Sequence, residues 1–140
     1  MKTIGFLKDR EKDKLGDSIR YEYPGEAISI LVAELDKVIE YLGSGKVIFS
    51  MTLSLQDNEG NVIAPYEVLT DGEWLWPRYF VYGIKVGHIK VITAEFYRRM
   101  KGFNFLMPSV SSGEEISARK YFEGLLLSNH PKYRSQKNGS

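Results

Sequence analysis

Apolar positions recur along this chain with two periods. From Glu26 to Leu42 the spacing is helical. Ile28, Leu31, Leu35, Val38, Ile39 and Leu42 follow mostly at steps of three and four and line one stripe, with Glu34, Lys37 and Glu40 off it. Glu26 would sit at the positive end of the helix dipole, and Gly43-Ser44-Gly45 predicts a left-handed cap and exit. From Lys46 to Leu55 the period falls to two. Val47, Phe49, Met51, Leu53 and Leu55 alternate with Ile48, Ser50, Thr52 and Ser54, which predicts a strand with one apolar face. Asp57-Asn58-Glu59-Gly60-Asn61 reads as a hairpin loop. Val62 to Leu69 returns, and Pro65 assigns its first half to an edge or a bulge.

The run Glu67-Val68-Leu69-Thr70-Asp71-Gly72-Glu73-Trp74-Leu75-Trp76-Pro77 organises the rest. Asp71-Gly72 is a turn signal, because Gly accepts positive φ and Asp hydrogen-bonds nearby backbone. Trp74 and Trp76 lie two apart and share one strand face, with Leu75 on the other. Two apolar faces predict an interior strand. Pro77 removes a backbone donor, stops the ladder and opens a short helix over 78–87.

Before this core, Thr3 to Leu7 reads as a short strand, residues 8–14 as a solvated charge run, and Ile19, Tyr21 and Tyr23 as a half-buried strand. After it, residues 88–92 read as extended. Thr93 is a candidate N-cap for a helix over Ala94–Lys101, which Gly102 stops. Ser112 to Glu115 matches a capping box, opening a last helix to about Leu127 with Ala118, Phe122, Leu125 and Leu126 inward. The expected fold is α+β: a small antiparallel sheet of three to five strands, packed against an N-terminal amphipathic helix and two or three C-terminal helices. Residues 1–130 make one domain, and 131–140 a polar, flexible tail.

Composition narrows the function classes. At 140 residues with 43% hydrophobic and 26% charged content, the chain can build a core without staples. A net charge of +1 announces neither nucleic acid nor an anionic membrane. With no cysteine there are no disulfides, Cys-zinc sites or thiol nucleophiles. The opening residues are too poor in apolar side chains for a signal peptide, and no apolar run is long enough to span a bilayer. The expected compartment is the cytoplasm.

Candidate chemistry is sparse. His88 and His130 have no partner at metal-ligand spacing, so no metal and no cofactor is expected. His88, Lys90 and Glu95 compose an acid–base set for RNA cleavage or simply a half-exposed loop. Asp57, Glu59, Glu67, Asp71 and Glu73 read either as solvated turns at one end of a sheet or as an acidic ridge for a basic partner. Arg78, Lys85, Lys90, Arg98, Arg99 and Lys101, with Tyr79, Phe80, Tyr82, Tyr97 and Phe103, read either as helix surface or as a cation-and-ring face for single-stranded RNA. The charge pattern is thus dipolar, acidic before the tryptophans and basic after them, which suits steering of a protein partner.

Two stretches carry a resemblance. Ile39-Glu40-Tyr41-Leu42-Gly43-Ser44-Gly45-Lys46-Val47-Ile48 and Val68-Leu69-Thr70-Asp71-Gly72-Glu73-Trp74-Leu75-Trp76-Pro77 resemble small bacterial proteins with a "YL-x-x-GK" step and a later "LTDG-x-W-x-WP" strand. Ala94-Glu95-Phe96 with Met100 is similar to the "EEF…HM" helix that follows in that group. Arg78-Tyr79-Phe80 departs from it, standing where an acidic residue usually follows the proline. Several members are immunity proteins of polymorphic or contact-dependent toxin systems. The resemblance implies a non-enzymatic immunity protein that blocks a cognate toxin domain, a nuclease in the leading case. Expected contacts are Asp57, Glu59, Asp71 and Glu73, with Tyr66 as an anchor. The alternatives are an RNA-binding module using Arg78, Tyr79, Lys85, Arg98, Arg99 and Lys101, and a small hydrolase or nuclease.

Overall fold

A computed structural model describes residues 1–7, 14–15, 21–57 and 59–129. The residues 8–13 of the charge run, Ile19, His130 and the expected tail lie outside them. In chain order the elements are β1 (Lys2–Thr3), β2 (Lys14–Leu15), β3 (Ala27–Ser29), α1 (Leu35–Gly43), β4 (Lys46–Asp57) and β5 (Val62–Thr70). There follow β6 (Trp74–Pro77), α2 (Arg78–Lys85), β7 (Val91–Thr93), α3 (Ala94–Gly102) and α4 (Ser112–Asn129). The fold is α+β. The expected antiparallel meander is β4-β5-β6, and short parallel strands extend it to the order β1-β6-β5-β4-β2. A two-stranded ladder, β3 with β7, stands apart.

β6 is interior, between β1 and β5, and all four of its residues are buried. Strand alternation divides the core. Trp74, Trp76 and Leu69 face a large cluster with Val38, Tyr41 and Leu42 of α1, Phe80 and Ile84 of α2, and Phe96 and Met100 of α3. Leu75 and Val68 face the opposite way, onto Phe6, Ile48 and the Ala118 and Phe122 of α4. The sheet therefore carries three helices on one side and one on the other. Pro65 acts as expected: the β4–β5 register slips between Met51 and Ser54, and β6 pairs only with Val68–Thr70.

The structure departs from the local signals at five places. The first helix starts at Leu35, after a 3-10 turn over Val32–Glu34, and not at Glu26. Ile28 instead pairs with Ile92, and the Tyr97 hydroxyl accepts the Leu31 N–H at 3.1 Å. Second, no left-handed residue caps α1. Ser44 has φ −92°, and its N–H and Oγ both donate to the Glu40 carbonyl. Gly45 is required for space: a Cβ there would lie 2.7 Å from Trp76 Cζ2. Third, β4 does not keep its odd residues inward. A register shift between Val47 and Phe49 buries Ile48, while Met51 is 48% exposed. Arg119 Nε of α4 donates to the Ile48 carbonyl at 3.1 Å. Fourth, Thr93 holds the N-cap position of α3, but its buried hydroxyl has no hydrogen-bond partner among the described residues. Fifth, the capping box is Ser111–Glu114, one residue earlier than expected. Glu114 N donates to Ser111 Oγ at 3.1 Å, and Ser111 N to Glu114 Oε1 at 3.0 Å.

Candidate functional site

The turn between β5 and β6 is built on Asp71, whose side chain is 0% exposed. Its Oδ1 accepts the N–H groups of Glu73 at 3.0 Å and Trp74 at 2.9 Å, which sets the turn. Its Oδ2 accepts the Tyr41 hydroxyl at 2.6 Å and Arg99 Nε at 2.8 Å. Arg99 also pairs with Glu73 and reaches the Asp71 carbonyl at 3.5 Å. Thr70 Oγ1 donates to the Trp74 carbonyl and accepts the Gly72 N–H, closing the loop from the other side. Gly72 is left-handed, with φ +100°.

Electrostatics follow from this packing. Burial, and then the hydrogen bond to Asp71, push the Tyr41 hydroxyl far above its ordinary range, so it remains a donor. Burial pulls down on the Arg99 guanidinium, but Asp71 and Glu73 outweigh it and hold it more firmly charged. Ser111 holds the Glu114 carboxyl below its usual range beside the same turn.

The segments that carry the family resemblance meet here. Tyr41 bonds Asp71, Trp76 Nε1 donates to the Leu42 carbonyl at 2.9 Å, and Gly45 clears room for Trp76. Phe96 stacks on Trp74 with ring centroids 4.7 Å apart, and Met100 is fully buried. Lys2 caps the group, pairing with Glu95 and lying 5.5 Å over the Trp74 ring. These side chains form a buried scaffold.

The expected acidic ridge is not one surface. In a meander successive turns fall at opposite ends of the sheet. Gln56 pairs with Val62 at one end of the β4–β5 ladder and Lys46 with Thr70 at the other. Glu59 therefore stands about 30 Å from Glu73, by the length of a nine-residue strand. Asp71 is scaffold and not a contact. Glu73 is 57% exposed and bound to Arg99, and Glu67 pairs with Arg78 at 2.8 Å. Glu59 is exposed, and the side chain of Asp57, the last residue of β4, lies outside the described part. Tyr66 is half-buried, with ring contacts to Phe49 at 6.4 Å and Tyr79 at 6.2 Å.

The basic segment is not an open stacking face either. Tyr79 and Tyr97 are buried, and the Tyr79 hydroxyl accepts the Leu7 N–H at 2.9 Å. Arg78 and Arg99 are ion-paired, and Lys101 lies 3.6 Å from Glu34 and 4.3 Å over the Tyr97 ring. Lys85 and Arg98 remain exposed. The charges thus interleave and do not polarise. His88 is half-buried between α2 and β7, while the Glu95 of the acid–base set is engaged by Lys2. Among the described residues no group of three or more His, Cys, Asp or Glu is placed to hold a metal ion.

The sequence reading missed Tyr41 and Arg99 as partners of Asp71. Tyr41 stands in the first resembling segment and Arg99 just inside the third, so pairing the segments was the available signal. Comparison with family profiles, with curated proteins and with solved structures finds no match to the chain.

Proposed function

We propose that this protein is an immunity protein, a non-enzymatic inhibitor that binds a cognate bacterial toxin domain and blocks its active site. The toxin domain is a nuclease in this reading, and the encounter takes place in the cytoplasm. The observation that carries the reading is the interlock of the resembling segments through Tyr41–Asp71, Leu42–Trp76 and Trp74–Phe96. The residues that carry the resemblance thus touch one another in this chain's core, which supports reading them as one unit. A scaffold held by its interior leaves exposed side chains free to differ between partners, as selective inhibitors require. Exposed Glu59 and Glu73 remain candidate contacts that set on-rate and selectivity. Among the described residues no helix is long and apolar enough to cross a membrane.

The test is to inspect the gene directly upstream and, where it encodes a large secreted protein, to co-express that protein's variable C-terminal domain with this one; an upstream gene of any other kind counts against the reading. Rescue of growth together with co-purification supports the reading. Continued toxicity, with no complex at micromolar concentration, rejects it.

A further inference from the structure

α4 is the longest helix, eighteen residues, yet it buries little of itself. From Ser112 to Leu127 only Ala118 and Phe122 are buried, while Ile116 is 51% exposed and Leu127 54%. By contrast α2 buries five of its eight residues and α3 four of its nine. The Phe122 ring grips the sheet, 5.0 Å from Phe49 and 6.0 Å from Phe6, with the Arg119 bond to the Ile48 carbonyl beside it. Gly113 and Gly124 lower the helix's own stability. A helix of this length is marginal in water without packing, so leaving the sheet would melt it. The connection before it is anchored at its near end. Asn104 and Phe105 are both left-handed, with φ +54° and +59°, a conformation that a Phe side chain disfavours. The turn is held because the Phe105 N–H donates to the Met100 carbonyl at 2.8 Å, and Phe105 and Met107 pack on the tryptophan cluster. Beyond it Ser109 and Ser111 are exposed, and the chain crosses to the opposite face of the sheet.

We propose that α4 is a hinged lid, which leaves the sheet as one unit from a pivot at Ser109–Ser111 while the tryptophan side of the core stays folded. Elements that bury few apolar side chains are the ones that open ahead of the whole. Opening uncovers Phe6, Ile48, Val68 and Leu75, an apolar face that the closed fold hides. It breaks no bond of the Asp71 network and leaves the Trp74–Phe96 stack in place, because those groups pack on α1 and α3. The inference does not depend on the immunity reading.

The test is amide hydrogen exchange, residue by residue and at rising sub-denaturing urea, on the full chain and on Tyr41→Phe. The amides of residues 116–127 are expected to share one protection level, below that of Trp76 and Met100 and with a weaker urea dependence. Tyr41→Phe weakens the whole fold, so it should speed exchange at Trp76 and Met100 by at least about fivefold. It should leave the amides of 116–127 unchanged, since the closed and open forms both keep the Tyr41 bond. Equal protection in α4 and β6, with equal acceleration in the variant, means that α4 opens only when the whole chain unfolds and overturns the lid. A gradient, fastest at Leu127 and as slow as Trp76 at Ile116, is end fraying and overturns it as well.

Discussion

The Tyr41 hydroxyl donates to Asp71 Oδ2 across 2.6 Å, joining α1 to a turn 30 residues away. The same oxygen receives Arg99 Nε from α3, so one carboxylate ties three elements. Asp71 is fully buried and Arg99 only 22% exposed, and removing one member of such a pair leaves an uncompensated charge. Asp71→Ala is expected to lower unfolding stability by about 3–5 kcal/mol. Tyr41→Phe removes one donor and is expected to cost about 1–3 kcal/mol. Arg99→Lys keeps the charge but loses the fork that spans Asp71 and Glu73, so it should fall between wild type and Asp71→Ala. Urea unfolding monitored by tryptophan fluorescence checks all three. A loss below about 1 kcal/mol for Asp71→Ala would show that the node is not a main tie of the fold.

Gly45 and Gly43 lie two residues apart and should respond with opposite signs. A Cβ on Gly45 would fall 2.7 Å from Trp76 Cζ2 and 2.9 Å from Leu69 Cβ, both in the packed core. Gly45→Ala is expected to destabilise by about 1–3 kcal/mol, as overpacking does. Gly43 ends α1 with nothing within 4 Å of its would-be Cβ. Gly43→Ala is expected to be neutral or to stabilise by up to about 1 kcal/mol. Equal shifts in melting temperature for the two variants would contradict the packing role given to Gly45.

What was legible in the sequence was what neighbouring residues decide. The alternation Trp74-Leu75-Trp76 placed β6 inside the sheet with its rings on one face, because strand geometry alone fixes that. Pro65 marked its break for the same local reason. What escaped needed a partner distant in sequence. Ile28 continued a helical stripe, yet Ile92 offered a ladder position and won. Ile48 belonged to the polar set of its strand, yet the bulge and Arg119 turned it inward. Asp71 carried a clear turn signal, but its burial follows from Tyr41 and Arg99, which a one-dimensional charge pattern does not bring to it. The supposed acidic ridge failed likewise, since adjacency in sequence became opposite ends of a sheet.

The shifted capping box gives a test by neighbours of the same type. Ser111 makes both bonds of the box with Glu114, whereas Ser112 is already the first residue of α4. Ser111→Ala is expected to destabilise by about 1 kcal/mol, and Ser112→Ala to have little effect. Thermal unfolding of the two variants decides it. The reverse order would restore the box at Ser112.

Alkaline pH should unfold this protein through its buried tyrosines. Burial raises the Tyr23 pKa from 10.0 to about 12. Burial and then Asp71 raise Tyr41 further, and burial and then Glu34 raise Tyr97. In the unfolded chain all three ionise near about pH 10. Below that pH both states are protonated and the contribution to stability is whole. Above it the unfolded state loses protons first, so stability falls as pH rises from the unfolded value through the raised folded ones. The expected readout is a urea midpoint that declines steadily above about pH 10, with tyrosinate absorbance appearing in step with unfolding. Tyr41→Phe starts from lower stability at neutral pH, but its alkaline decline should be shallower, because one late-titrating group is gone. An unchanged slope in that variant would mean that Tyr41 ionises without hindrance in the fold, which contradicts its burial against Asp71.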